Sequence, residues 1–294
     1  MSFVLSCCST ADLTREHLES RDIRYTCFHF QLAGKEYLDD LGASMSLTDF
    51  YQAMRDGADT HTSQISSGEY EEYFEPMLAA GQDVLHLTLS SGISGSYQSA
   101  LVARDSLQKK YPERKLIVLD SLAASSGYGL LMELLADLRD EGKTIDEVAA
   151  WAEEHKLNIH HWFTATDLTY LIRGGRVSKT AGFFGKMLNI CPLLNVDYQG
   201  HLIAREKIRT KRRVLRELVT HMETYADGGH DYTGKVFISN SDCHEDAQYV
   251  AELVESLFPK MNGKVKVFDI GTTIGAHTGP GTVALFFEGS RRVD

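Results

Sequence analysis

Two segments rich in hydroxyls and glycine hold most of the chain's capacity for chemistry. The run Leu89-Ser90-Ser91-Gly92-Ile93-Ser94-Gly95-Ser96 follows an apolar stretch and opens a helical pattern. Free backbone N–H groups at a helix start, with the Ser94 hydroxyl among them, suit an anion such as a carboxylate or phosphate. The same residue types also cap helices, and the run by itself does not choose between the two roles. A nucleophilic serine on a strand–turn–helix elbow needs glycine two positions to either side. Ser94 has Gly92 before it but Ser96 after it, so that pattern fails. The second segment, Gly271-Thr272-Thr273-Ile274-Gly275-Ala276-His277-Thr278-Gly279-Pro280-Gly281, reads as a glycine-rich turn centred on one histidine. The ring of His277 could donate to a bound anion or exchange a proton. Brought together, the two segments would make a polar pocket for a small acidic head group.

Other residues could join them. Thr62 and Ser63, in a hydroxyl-rich loop before a helix, can donate to an anion or simply lead into the capped helix start. Arg176, after Gly174-Gly175, can reach a carboxylate or phosphate as a bidentate donor, or complement a helix C-terminus. Lys207, Arg209 and Lys211-Arg212-Arg213 form a basic cluster in an otherwise acidic chain. The segment Ala181–Ile190 is rich in large apolar residues, including Phe183, Phe184, Met187 and Leu188; it suits either a hydrocarbon-tail tunnel or ordinary core. His160 and His161 are adjacent and would face opposite ways on a strand, which is poor geometry for a shared metal. No P-loop is present, and the five cysteines lack CxxC spacing, so neither a zinc site nor a disulfide frame is expected.

These residues must be positioned by regular elements. Strand patterns at Tyr25–Leu32, Asp83–Leu89 and Lys115–Leu119 alternate with helical ones at Tyr97–Lys110, Gly127–Asp140 and Thr144–His155. Ser66 with Glu69, and Ser46 with Asp49, read as capping boxes. Steady alternation argues for a parallel, helix-covered sheet whose ligands sit at the carboxyl ends of its strands, near Thr62, Ser94 and Ser121. After residue 158 the rhythm changes, with a hairpin turn at Asp197-Tyr198-Gln199-Gly200, and the second half reads as α+β with an at least partly antiparallel sheet. Two domains are therefore expected, 1–158 and 159–294, in a chain of 294 residues. A net charge of -11 argues against non-specific nucleic-acid binding. No apolar stretch is long enough for an integral membrane segment, and the start MSFVLSCCST lacks signal-peptide features, so a cytoplasmic protein is expected.

Taken in order, Ser9-Thr10-Ala11-Asp12-Leu13, Thr62-Ser63-Gln64, Ser90 to Ala100, Asp120-Ser121, Asp167 to Leu171 with Gly174-Gly175-Arg176, Pro192-Leu193-Leu194, Gly200 to Arg209 and Ile274 to Gly281 resemble the DegV family of bacterial lipid-binding proteins. The resemblance implies an N-terminal parallel-sheet α/β domain and a C-terminal α+β domain with a split, mainly antiparallel sheet. It implies one long-chain fatty acid between them, and no other cofactor or metal. It further implies a non-enzyme that serves a separate fatty-acid kinase catalytic subunit, which phosphorylates the bound acid for phospholipid synthesis. By position, Thr62, Ser63, Ser94 and Gly95 are the expected carboxylate holders. Arg176, Arg209 and His277 would stand at the mouth, and Phe183, Phe184, Met187, Leu188 and Ile274 would line the tail. A lipid-occupancy sensor and a stand-alone hydrolase or phosphotransferase are the alternatives. The chain departs from the family pattern at Cys8, where aspartate is usual, and at Ile65, Cys191 and Thr273.

Overall fold

The computed structural model describes residues 3–178 and 190–293. The tail-lining candidates Phe183, Phe184, Met187 and Leu188 lie outside the described residues. Strand β1 (Val4–Cys8) leads through α1 (Arg15–Ser20) to β2 (Ile23–Thr26). A hairpin of β3 (His29–Leu32) and β4 (Lys35–Leu38), then α2 (Leu47–Arg55) and β5 (Thr60–Ser63), come next. They are followed by α3 (Ser67–Ala79), β6 (Val84–Thr88), α4 (Ser96–Lys110), β7 (Leu116–Asp120), α5 (Ser125–Asp140) and α6 (Ile145–His155). The second half contains β8 (Ile159–Thr164), α7 (Thr169–Arg173), β9 (Ile190–Val196), β10 (Leu202–Arg209) and α8 (Lys211–Tyr225). It ends with β11 (Val236–Asn240), α9 (His244–Leu257), β12 (Lys266–Asp269), α10 (Thr272–Thr278) and β13 (Val283–Glu288).

The first half builds a parallel sheet, β2-β1-β6-β7, and a small antiparallel one, β4-β3-β5. The second builds a six-stranded sheet, β10-β9-β8-β13-β11-β12, antiparallel except for the β11–β12 pair. The small sheet has two consequences for the sequence reading. Tyr25–Leu32 is not one strand: the Phe28 N–H donates to the Ser9 hydroxyl at 3.2 Å and its carbonyl accepts the Asp39 N–H at 2.8 Å, so the chain leaves one sheet and enters another. Thr60–Ser63 is a strand rather than a loop, with Phe30 opposite Thr62.

Capping explains where several helices start. Ser66 and Glu69, and likewise Thr144 and Glu147, each exchange side chain and backbone in a full capping box. At α2 the Ser46 hydroxyl accepts the Asp49 N–H, but the carboxylate accepts from the Ser46 hydroxyl instead of its N–H, so only half the box is made.

Helix α5 is buried on every face from Ser125 to Glu133, because it lies between the parallel sheet and the six-stranded one. One apolar cluster accordingly joins both halves, with Leu5, Leu85 and Leu131 packed in the same core as Phe163, Phe237 and Phe286. Each such side chain contributes roughly 1.5–3 kcal/mol by leaving water. Gly127 lets α5 approach the second sheet, since a Cβ there would come within 2.5 Å of Phe286 Cδ1. Beyond the last strand, buried Arg292 donates to the carbonyls of Leu122, Lys156, Leu157, Val196 and Asp197. That set ties the β9–β10 hairpin and the 156–157 connection to the loop after β7.

Candidate functional site

A cavity of about 380 Å³ lies between the two halves. This is within the roughly 300–1,000 Å³ usual for small-molecule pockets. One wall is the inner face of the six-stranded sheet, where His161 pairs with Phe286 and Phe163 with Ala284, while Val196 and Leu202 pair across the hairpin. Strand alternation puts His161 on this wall and sends His160 to the other face, where its ring stacks on Phe287 and Tyr225. His161 Nδ1 donates to Ile159 O over 3.0 Å and Nε2 accepts the Ala124 N–H at 3.3 Å, and burial holds the ring well below the usual histidine range. The opposite wall comes from the first half: Phe28, Leu89, Ile93, Ala124 and Ser125.

The polar end is built from three elements. Strand β5 presents Thr62 and Ser63, the loop before α4 presents Ser94, and α10 presents Ile274 and His277. The segment read as a glycine-rich turn is in fact this short helix, with Gly271 at its N-cap and Gly279 at its C-cap. Its i,i+4 glycines leave room for neighbours: a Cβ on Gly275 would strike the Tyr51 ring, whose Cζ would lie 2.9 Å away. Thr62 Oγ1 and His277 Nε2 are 2.7 Å apart. Burial, then the charges of Arg176 and Arg173, push His277 down to about 3, so the ring is neutral at ordinary pH.

Ser94 makes a helix-start contact and also faces the cavity. Its Oγ accepts the Ser96 N–H at 3.2 Å in the first turn of α4, and it also lines the cavity. Having accepted there, the hydroxyl keeps its own proton for a ligand. Gly95 is the N-cap of α4, packed against the Gln64 amide, which reaches across to donate to Ser99 Oγ at 3.0 Å. Arg176 lines the cavity, but its guanidinium donates to Ile93 O at 3.2 Å and to Gly174 O, and burial lowers its pKa. Arg209 is exposed at the end of β10 and is not among the cavity-lining residues. Ser121 turns its hydroxyl to Ala123 O at 3.2 Å and does not line the cavity either.

Beneath the α4 start, Ser96 Oγ meets Tyr70 OH at 2.6 Å, and Tyr70 meets Cys8 Sγ at 3.3 Å. Burial pushes the Cys8 thiol up to about 11, so it is a neutral member of this chain of hydroxyls. The sequence reading missed Phe28, Ser125, His161 and Phe163 as lining residues. Only the alternation along β8 carried any signal for the last two. Among the described residues no group of three or more His, Cys, Asp or Glu could hold a metal ion, and no helix is long and apolar enough to cross a membrane.

The fold and cavity define an α/β protein in which a parallel sheet and a mixed sheet enclose one largely apolar space with a hydroxyl- and histidine-lined end. The chain belongs to the DegV family: residues 8–290 match the family described as "Uncharacterised protein, DegV family". A DegV domain-containing protein of Clostridium perfringens is 36% identical over 290 residues, covering 99% of this chain and 98% of that protein. A solved DegV family protein from Thermus thermophilus, described for its fatty acid binding, superposes with a TM-score of 0.86 at 26% identity, covering 98% of this chain and 100% of that one. The Streptococcus pneumoniae Fatty Acid Kinase (Fak) B3 protein, loaded with linoleic acid, shares the fold with a TM-score of 0.84 at 21% identity, over 98% of this chain and 99% of that one.

Proposed function

We propose that this protein binds one long-chain fatty acid between two lobes, 1–158 and 159–294, and presents it to a separate fatty-acid kinase catalytic subunit for phosphorylation to an acyl phosphate. The observation that carries the reading is the cavity itself, walled by apolar side chains of both halves and ended by Ser94 and the Thr62–His277 pair. An acyl tail gains about 0.8 kcal/mol for each methylene taken out of water, so the apolar wall supplies most of the affinity. The carboxylate must be met by donors, because a buried charge without them is costly. In this reading His277 Nε2–H donates to Thr62 Oγ1, which leaves the threonine proton, the Ser94 proton, Ser63 and the Gly95 N–H for the ligand oxygens. Arg176 and His277 stand at the mouth, where a phosphoryl group would arrive, and Ile274 packs on the first carbons of the chain. The protein has no part in bond making on its own: the kinase supplies the chemistry, and this chain supplies the oriented acid.

The test is the mass of whatever comes off the gently purified protein after organic extraction. Expected is a long-chain fatty acid at close to one per chain. Repeated preparations with no lipid, together with no binding of added palmitate or oleate, would reject the proposal.

A further inference from the structure

Helix α10 belongs to the second half of the chain by sequence, yet the hydrogen bonds that fix it come from the first half. The Tyr51 hydroxyl donates to Ile270 O at 2.7 Å. Asp12 Oδ1 accepts the Gly271 N–H at 2.9 Å, and Asp39 Oδ2 accepts the Thr273 N–H at 3.4 Å. Farther along, the Thr60 hydroxyl donates to Ala276 O at 3.4 Å before Thr62 meets His277. Three backbone groups within four residues, at the entry to α10, therefore end on three side chains of the first half.

The two carboxyls are unusual tenants of such a place. Asp12 is 3% and Asp39 1% exposed, and neither has an ion-pair partner among the described residues. Both carboxyls crowd Gly271: a Cβ there would lie 2.8 Å from Asp12 Oδ1 and 3.3 Å from Asp39 Oδ1. Burying carboxyls without cations is costly, and packing alone would be better served by apolar side chains. What the two supply is a pair of fixed acceptors aimed at particular N–H groups. Asp12 also accepts the hydroxyl of Ser125, a cavity-lining residue held at φ +53°, so the same carboxyl reaches the cavity wall from the other side.

We propose that Asp12 and Asp39 are positioning residues for His277: by holding the entry of α10 against the first half of the chain, they set the distance at which His277 meets Thr62. The head of the cavity is thereby one mechanical unit, although its residues come from both halves of the sequence. The consequence for ligand affinity rests on the proposed fatty-acid function; the placement of His277 does not.

The experiment uses the full chain with ¹⁵N-labelled histidine, the His277 ring signals being assigned by their loss in His277→Gln. In the wild type His277 should not titrate between about pH 5 and 8, the range in which a free imidazole does. In Asp39→Ala and Asp12→Ala it should titrate there, while the buried His86 stays silent. Palmitate affinity, read by displacement of a fluorescent fatty acid, should fall about tenfold or more, the size expected when a buried hydrogen-bonded group loses its support. Asp39→Asn keeps an oxygen acceptor and should restore both readouts. A silent His277 with wild-type affinity in the alanine variants overturns the proposal. If palmitate binds to none of the proteins, wild type included, the function fails while the titration arm still decides the positioning role. Should the alanine variants not fold, Tyr51→Phe removes only the hydroxyl bond to Ile270 O; it should shift His277 in the same direction by less, and a Tyr51→Phe protein identical to wild type in both readouts overturns the proposal.

Discussion

Replacing Ser94 with alanine is expected to weaken fatty-acid binding by about 1–3 kcal/mol, a factor on the order of 5 to 150, together with a measurable loss of thermal stability. The serine Oγ accepts the Ser96 N–H, so its proton is the one free to meet a carboxylate oxygen. Alanine takes away both functions, and the Ser96 N–H it strands belongs to a fully buried residue, so that donor loses its acceptor already in the unliganded protein. The free protein therefore loses some stability, and the liganded state loses in addition the donor that met the carboxylate. Thr62→Val should give a loss of similar size, and it additionally strands His277 Nε2, now 2.7 Å from Thr62 Oγ1. Competition titration with a fluorescent fatty acid measures both. A Ser94→Ala protein with unchanged affinity would remove Ser94 from the head-group role. The matching control is a ligand without the acid: a long-chain alcohol should lose less than the acid on either substitution, since hydrogen bonds to a charged group are the stronger ones.

How far this site could be read from sequence depended on whether the decisive contacts were local. The parallel sheet and its helices were legible because their signals lie within a few residues: the capping box at Ser66, the apolar runs at Val84 and Leu116, and the hairpin turn at Asp197 are self-contained. Thr62, Ser94 and His277 stood out as donors, and the fold does bring them to one cavity end. Two of the misread elements share one physical reason. Tyr25–Leu32 has the composition of one strand, but Ser9 and Asp39 satisfy the backbone at Phe28 and split it between sheets. Gly271–Gly281 has the composition of a turn, yet three side chains more than 200 residues away in sequence fix it as a helix. Nothing near Gly271 announces Asp12, so propensity is overridden by partners that a linear reading cannot see. Arg209 stands exposed at the end of β10 and is not among the cavity-lining residues, so the cavity lends its expected place at the mouth no support.

The largest stability change should follow Glu133→Gln. The Glu133 side chain is 4% exposed on α5 and bridges the halves, meeting His17 at 2.9 Å, Lys235 at 3.0 Å, Arg21 at 3.5 Å and Lys266 at 3.6 Å. Burial by itself would raise this carboxyl, but the His17 and Lys235 hydrogen bonds and the nearby lysine charges outweigh it and hold it well below the usual carboxylate range. Removing one partner of a buried ion pair leaves the others uncompensated, which costs about 3–5 kcal/mol. The lower end applies here, because Lys235 and Arg21 each keep Asp137 as a second partner. The sign of the pH dependence follows from the depressed value. An unfolded glutamate titrates near about 4.3, so the stabilisation is complete above that pH and is lost as the pH falls toward the folded value. Asp12 and Asp39 act in the opposite sense, since burial raises both carboxyls and their protonation on acidification favours the folded state. The wild-type acid profile is therefore a difference of two trends, whereas the gap between wild type and Glu133→Gln isolates the first. Urea denaturation should show that gap at its full size at pH 7 and shrinking below about pH 4. A gap that does not change with pH would mean that Glu133 acts through packing, and that the charge cluster spanning α5 contributes nothing to holding the two halves together.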